Sequence, residues 1–112
     1  MKKIILFIAF LLILINFSNA QTGETELYSK LEKQEVKLDS VYSKLEKSIS
    51  EIDRLDLTKS QNAWLKFRNL NCSFKSQENS QGGVISNKLK INCKIQSTKE
   101  RIIELTDLIN EF

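Results

Sequence analysis

Residues 24–81 contain neither proline nor glycine, and this feature restricts the fold more than any other. The whole chain has no proline and three glycines, at Gly23, Gly82 and Gly83. Because these two residue types are the strongest local breakers of helices, nothing of that kind interrupts a helix before the glycine pair. The pattern predicts an all-α protein.

Apolar residues in the first half of the chain recur at helical spacing. They form a heptad-like seam with Glu35 as its one charged intruder. The members of this seam are Tyr28, Leu31, Leu38, Tyr42, Leu45, Ile49 and Ile52. We therefore expect a first helix over about Glu24–Ile52. Asp53–Asp56 is the expected break, and Thr58, three residues before Gln61, has the capping-box spacing that starts a second helix.

Two further helices are expected. The second, about Leu57–Phe74, has apolar side chains on two sides, which predicts a central position between the other two helices. The third, about Asn87–Glu111, has an apolar packing stripe. With Lys75–Ser86 as the only long loop, the sequence predicts a three-helix, mostly antiparallel bundle.

The N-terminus has the pattern of a secretory signal peptide. Lys2 and Lys3 precede an apolar run over residues 4–15, and residues 18–20 place small side chains where a signal peptidase cleaves. Together these features predict cleavage before Gln21. An uncleaved membrane anchor is the alternative, although the apolar run is short for a span of about 20 residues.

The predicted cleavage defines the mature protein. We expect residues 1–20 to be removed and residues 21–112 to form a single domain, released into the periplasm or the medium without a stable membrane anchor. The chain has 17 Lys and Arg against 14 Asp and Glu, and without the two lysines of the signal peptide its net charge is about +1. Lysine and glutamate interleave along the chain rather than forming a patch that follows phosphates, so we expect no nucleic-acid binding.

Two cysteines in an exported chain predict one disulfide. Cys72 and Cys93 flank the predicted loop, and a bridge between them would stabilise the domain by about 3 kcal/mol. Two free thiols or pairing between molecules are the alternatives. A metal site is not expected, because two sulfurs lack the further ligands that zinc requires. No cofactor is expected either.

A polar stripe precedes the first cysteine. Gln61, Trp64, Arg68 and Cys72 fall at helical spacing in the run QNAWLKFRNLNC, and on a helix they occupy one arc of about 80°. The chain contains no histidine, no Gly-rich phosphate loop and no nucleophile with a base nearby, so no catalytic residue is expected. The stripe predicts a structural or partner-binding face.

The same residues carry a resemblance to a known family. In chain order the shared elements are Leu38-Asp39-Ser40-Val41-Tyr42, the Gln61-to-Cys72 pattern, Gly82-Gly83, Cys93, and Thr98-x-x-Arg101-x-x-x-Leu105. Over about residues 38–105 the chain resembles the LprI-like lysozyme-inhibitor family of small exported bacterial proteins. The resemblance implies a helical protein that binds and occludes a muramidase without performing chemistry.

The motif residues have structural interpretations beside functional ones. Trp64 is expected in the core, with a ligand platform as the alternative. Arg68 and Arg101 match family positions, and we expect them to pair with carboxylates on neighbouring helices rather than to be surface cations. Gln61 is expected in the same polar network. The glycine pair predicts a turn with positive φ, or close approach of the backbone to a partner.

The loop is the expected contact surface. The candidate partner contacts are Lys75, Gln77, Gly82, Gly83 and Lys88. Two other functions remain open: an envelope protein that binds another protein or a cell-wall component, and a helical homo-oligomer that pairs through its first helix. Electrostatic steering does not favour an inhibitor, because animal lysozymes are typically basic whereas the mature chain is nearly neutral.

Overall fold

The computed structural model describes the backbone of residues 2–112 and the side chains of residue 3 and residues 23–112. It contains three helices, α1 (Lys2–Ser48), α2 (Glu51–Lys75) and α3 (Gly83–Glu111). Residues 2–112 contain no strand, so the all-α prediction is confirmed. Apart from that of Lys3, the side chains of the predicted signal peptide lie outside the described residues, as do those on both sides of the predicted cleavage position before Gln21. No helix in the described part of the chain is long and apolar enough to cross a membrane.

The break between α1 and α2 lies at residues 49–50, so the prediction of a break at Asp53–Asp56 is wrong. Ser50 has extended backbone, with φ −66° and ψ 163°, and its hydroxyl oxygen accepts a hydrogen bond from the Asp53 N–H at 3.2 Å. The same hydroxyl donates to the Asp53 carboxylate at 2.7 Å. Glu51 and Asp53 place negative charge at the positive end of the α2 dipole. Serine followed three residues later by aspartate is the start signal that the sequence analysis missed.

Thr58 lies inside α2 rather than at its start. Its hydroxyl donates to the Arg54 carbonyl at 2.9 Å and lies 3.1 Å from the hydroxyl of Tyr42 on α1. The Arg54 guanidinium reaches back to the carbonyl of Glu46 in the last turns of α1, at 2.7 Å. These contacts fix the turn between the two helices and satisfy a carbonyl that the end of α1 leaves without a helical partner.

The helices alternate in direction along the chain. Leu31 of α1 packs with Ile91 of α3, and further along both helices Leu45 packs with Leu105. Residue numbers rise together in these pairs, so α1 and α3 are parallel. α2 follows α1 and precedes α3 in the sequence, and it runs in the opposite direction to both. Consecutive helices are therefore antiparallel, as predicted.

The central helix is α3, so the prediction of a central second helix is wrong. α3 packs along both other helices, whereas α1 and α2 approach each other only weakly. Phe67 and Leu70 are each 62% exposed and Phe74 is 81% exposed, so the second apolar side of α2 faces away from the bundle. Helical spacing identifies an apolar side but does not show whether another element covers it.

The buried core forms two clusters along the bundle. The smaller contains Leu31, Ile91 and Ile95. The larger is built from all three helices and contains Leu38, Leu45, Leu57, Ile102 and Leu105. Glu35 on α1 and Thr98 on α3 lie between the two clusters, about one helical turn from each. A polar layer therefore separates the two apolar clusters.

A disulfide joins Cys72 and Cys93, as predicted, with 5.5 Å between their Cα atoms. Cys72 is completely buried. The bridge links α2 to α3 close to the connecting loop, which is shorter than predicted. The loop comprises residues 76–82, because α2 continues to Lys75 and α3 already begins at Gly83.

Opening the disulfide should destabilise the protein. Cys93→Ser should lower the free energy of unfolding by about 3 kcal/mol, because the unfolded chain gains the entropy that the closed loop removes. Denaturant titration of the oxidised protein and the variant measures this difference. Reduced wild-type protein, as the control, should resemble the variant. Two titratable thiols in exported, denatured protein would contradict the bridge.

Candidate functional site

The polar stripe on α2 faces α3 and forms the best-connected group of side chains in the described chain. Gln61, Trp64, Arg68 and Cys72 lie on the buried side of α2, opposite the exposed Phe67 and Phe74. Cys72 fixes this side to α3 covalently. Residues that the sequence pattern places on one arc therefore do meet a common partner helix.

Arg68 is the centre of the polar layer. Its residue is only 4% exposed. One terminal nitrogen donates to the Glu35 carboxylate on α1 and to the Thr98 hydroxyl on α3, each at 3.0 Å. The remaining donors bind the side-chain oxygen of Asn69 at 3.1 and 3.0 Å. Arg68 thus connects all three helices, and the expected ion pair with a neighbouring helix is present.

Arg101 occupies a second polar position, one turn along α3. Its Nε donates to the Gln61 side-chain oxygen at 3.0 Å, and a terminal nitrogen donates to Ser60 at 3.2 Å. Its ion pair is with Glu104 on the same helix, at 3.0 Å. Gln61 therefore joins the polar network as predicted. We expected Arg101 to pair with a carboxylate on a neighbouring helix. It donates instead to two neutral acceptors on α2.

Trp64 lies between the two arginines. The guanidinium carbon of Arg68 is 5.4 Å from the centre of its ring system and that of Arg101 is 5.9 Å away. Both distances are within the range of cation–π attraction. The indole is half-buried and packs on the larger apolar cluster. Trp64 therefore belongs to the edge of the core, where it also shields two buried cations.

The remaining motif residues are structural as well. Tyr42 packs on the larger cluster, and its hydroxyl contacts Thr58. Thr98 is fully buried and donates to the Lys94 carbonyl at 2.7 Å while accepting from Arg68. Leu105 is fully buried. Each motif side chain on α3 therefore packs in the interior rather than facing a partner.

The buried polar groups of this network are all bonded within the protein. Among the described residues, every buried side-chain nitrogen or oxygen has a hydrogen-bond partner. No group of three or more potential metal ligands occurs among them. Lys94 lies at the edge of the network, and its partial burial, with the nearby Arg68 charge, lowers its pKa. The buried motif side chains therefore stabilise the bundle through contacts with one another.

Glu35 is the residue of the network that sequence reasoning failed to assign. It interrupts the apolar seam of α1, and the structure shows that it does so because Arg68 needs an anion at this level. The signal was present, since one charge within an otherwise apolar seam predicts a buried partner of opposite charge. Ser60, Asn69 and Glu104 had no such signal, because they lie outside any apolar pattern.

The loop between α2 and α3 is held by a second set of side chains. Ser86 donates to the Ser76 carbonyl at 2.9 Å, closing the loop across its base. Ser73 donates to the Glu78 carboxylate at 2.6 Å, and Lys90 forms an ion pair with the same carboxylate. These bonds lower the pKa of Glu78, with Lys90 the larger cause and Ser73 the next. These contacts hold the loop against the last turn of α2 and the first turns of α3.

Three residues in the loop or at its junction with α3 have positive φ. Gly82 and Gly83 have φ of 58° and 82°, the conformation predicted for the glycine pair. Gln77 has φ of 57° without being glycine, and its carbonyl accepts from the Gln81 N–H at 2.9 Å. A side chain at either glycine position would be strained, because L-residues rarely adopt these angles.

The structure brings most of the candidate contact residues together. Lys75, Gln77 and Gly82 line one open depression of about 370 Å³ beside the loop. Lys75, Gln77 and Gly83 are exposed. Lys88 is half-buried and lies instead beside Gly23 at the start of the described part of α1. The loop therefore presents one surface that includes Lys75 but not Lys88.

The fold and the motif define a small, disulfide-bonded helical bundle whose most distinctive residues stabilise its interior. The family described as Lysozyme inhibitor LprI matches residues 18–105. The chain belongs to this family, as the resemblance in the sequence indicated. The description is that of an inhibitor of an enzyme rather than of an enzyme. No curated protein and no solved structure matches the chain significantly.

Removing the anion beside Arg68 should destabilise the bundle. Glu35→Ala leaves a buried guanidinium with only Thr98 and Asn69 as acceptors, and should lower the free energy of unfolding by about 1–2 kcal/mol. The cost stays moderate because the Glu35 side chain is 44% exposed and its charge is partly screened. Denaturant unfolding measures it. The control Glu32→Ala, on the exposed side of α1, should change stability by less than about 0.5 kcal/mol. Equal costs would show that the ion pair contributes nothing.

The loop network should make stability depend on pH. The pKa of Glu78 is below its ordinary value of 4.5 in the folded protein, so its stabilising effect is complete above that value. It is lost as the pH falls through the folded pKa, because the unfolded chain then binds the extra proton. Unfolding midpoints between about pH 3 and pH 7 should fall more steeply for wild type than for Glu78→Gln. The control Glu32→Gln should keep the wild-type slope, and an unchanged slope in Glu78→Gln would refute the assignment.

Proposed function

We propose that this protein inhibits a lysozyme by occluding its cleft with the loop between α2 and α3. Membership of the lysozyme-inhibitor family over residues 18–105 is the observation that carries the proposal. The polar motif does not offer a contact surface, because its side chains bond to one another inside the bundle. Contact has to involve exposed residues, and the loop is an exposed segment whose side chains are tied to both adjoining helices.

A fixed loop suits inhibition by occlusion. The Ser76–Ser86 and Ser73–Glu78–Lys90 contacts hold the loop before any partner arrives. Less conformational entropy is then lost on binding than with a mobile loop. The glycine pair also keeps side chains off part of the loop, which lets its backbone approach a partner closely.

Charge near the loop is compatible with a cleft lined by carboxylates. Lys75 is exposed at the end of α2 and borders the depression beside Gln77. Glycoside hydrolases use a pair of carboxyl groups at the bond they cleave, and Lys75 would face negative charge on entering such a site. We further propose that the protein acts outside the cytoplasm, since its disulfide requires an oxidising compartment.

Lysozyme turbidity assays test the proposal. Purified, oxidised protein should inhibit at least one of several lysozyme types in a stoichiometric manner. Lys75→Glu combined with Gln81→Glu should weaken inhibition by at least about tenfold, because both carboxylates would face an acidic cleft. Both substitutions leave the glycines and the Glu78 contacts in place, so helical circular dichroism and the melting transition should be retained.

A matched control separates the loop from general charge effects. Lys47→Glu with Ser48→Glu makes the same change in net charge at the other end of the bundle, beside the α1–α2 turn. This pair should leave inhibition unchanged. If the loop variant inhibits as well as wild type, the loop is not the contact surface and the exposed face of α1 becomes the next candidate. If intact protein inhibits no lysozyme, binding of another envelope protein or a cell-wall component becomes the better hypothesis.

A further inference from the structure

Charge is strongly segregated in the mature chain, although its total is nearly neutral. Residues 57–99, which span most of α2, the loop and the first half of α3, contain eight Lys and Arg but only one Asp or Glu. The one acid is Glu78, which is paired with Lys90. Residues 100–112 contain four acids and one cation. The interleaving of lysine and glutamate therefore describes α1 but not residues 57–99, which we call the basic hairpin.

The basic hairpin also carries several of the large apolar side chains that the bundle leaves exposed. Phe67, Leu70 and Phe74 follow one another at helical spacing on the outer side of α2. Ile85 and Leu89 are exposed on the first turns of α3. Shallow grooves run between the two helices, one bordered by Phe67 and Lys75 and another by Lys75, Ile85 and Leu89. These five apolar residues define what we call the outer hairpin face.

Lysines border the outer hairpin face. Lys59 and Lys66 lie one turn from Ala63 and Leu70 along one edge of the apolar stripe on α2, and both are exposed. Lys75, at the end of α2, is exposed as well and borders both grooves. Glu100 is the acid that reaches the groove, where it accepts from Gln96 at 3.2 Å. The face thus combines aromatic and aliphatic side chains with a surplus of positive charge.

The kind of cation indicates the kind of partner. Within residues 57–99 the one arginine, Arg68, is buried, and every exposed cation is lysine; the exposed Arg54 lies outside this segment, at the start of α2. Protein interfaces are enriched in arginine and depleted of lysine. A helix face of phenylalanine and leucine bordered by lysine is typical of helices that lie on anionic bilayers. We propose that the outer hairpin face binds the surface of an anionic phospholipid bilayer.

The contact would be peripheral. The apolar side chains would enter the headgroup region while the lysines meet lipid phosphates. No helix in the described part of the chain is suited to crossing the membrane. The proposal does not rest on lysozyme inhibition: the two surfaces share Lys75 and the depression beside it, but Phe67 and Phe74, on which the bilayer test turns, lie on α2 outside the loop. Bilayer binding would hold the loop close to the cell surface.

Vesicle flotation tests the proposal with exported, oxidised protein whose N-terminus is defined by mass spectrometry and is the same in every variant. The vesicles are phosphatidylcholine alone, or phosphatidylcholine with about one-third phosphatidylglycerol. Wild type should bind the anionic vesicles at least about tenfold better than the neutral ones, and salt should weaken this binding. Phe67→Ser with Phe74→Ser should lower binding about tenfold or more, because both side chains are largely exposed and free to enter the headgroups.

Two matched controls complete the design. Val36→Ser with Phe112→Ser removes two exposed apolar side chains elsewhere and should leave binding intact. Lys66→Gln with Lys75→Gln should weaken binding, whereas the equally charged change Lys44→Gln with Lys47→Gln on α1 should not. Absence of vesicle binding overturns the proposal, as does binding that the phenylalanine pair leaves unchanged or that both control pairs reduce equally. Light scattering identifies one further contradictory outcome: a dimer that dissociates in the phenylalanine variant would show that a second copy covers the face.

Discussion

The buried guanidinium of Arg68 is the interaction on which the bundle depends. Its donors reach α1 through Glu35 and α3 through Thr98, while its own backbone belongs to α2. The apolar clusters on either side could shift along the helix axes with a modest loss of packing energy. A buried cation, in contrast, meets its acceptors at only one axial position. The polar layer therefore fixes the axial positions of the three helices relative to one another. Leucine and isoleucine alone would allow several such arrangements.

The sequence was informative wherever local chemistry determines structure. The absence of proline predicted helices, the cysteines predicted the bridge, and the spacing from Gln61 to Cys72 predicted one face. It was less informative where the outcome depends on which surfaces meet. Phe67, Leu70 and Phe74 show the same periodicity as a buried stripe, yet no helix covers them. The start of α2 was missed because the two hydrogen bonds between Ser50 and Asp53 are confined to one turn, a weaker sequence pattern than the pair of aspartates nearby.

The candidate site shows the same contrast between local chemistry, which the sequence reveals, and contact surfaces, which it does not. Motif recognition selected Gln61, Trp64, Arg68, Thr98 and Arg101, and the structure shows that these residues stabilise one another. A motif of this kind therefore identifies a scaffold more directly than a contact surface, so the identity of the scaffold and the identity of the partner are separate questions. Contact residues on a loop and an exposed helix face carry little local signal, because exposed polar and apolar side chains occur on every protein.

The parallel arrangement of α1 and α3 has a consequence for how the chain folds. The Cys72–Cys93 bridge closes over a separation of 21 residues, and α2 and α3 can meet as soon as the short loop turns. α1 joins α3 across far longer segments, as the contact between Tyr28 and Asn87, 59 positions apart, illustrates. Contacts distant in sequence form more slowly because the intervening chain must first be ordered. We therefore expect the α2–α3 hairpin to fold as an early unit, onto which α1 docks last, when Glu35 reaches Arg68.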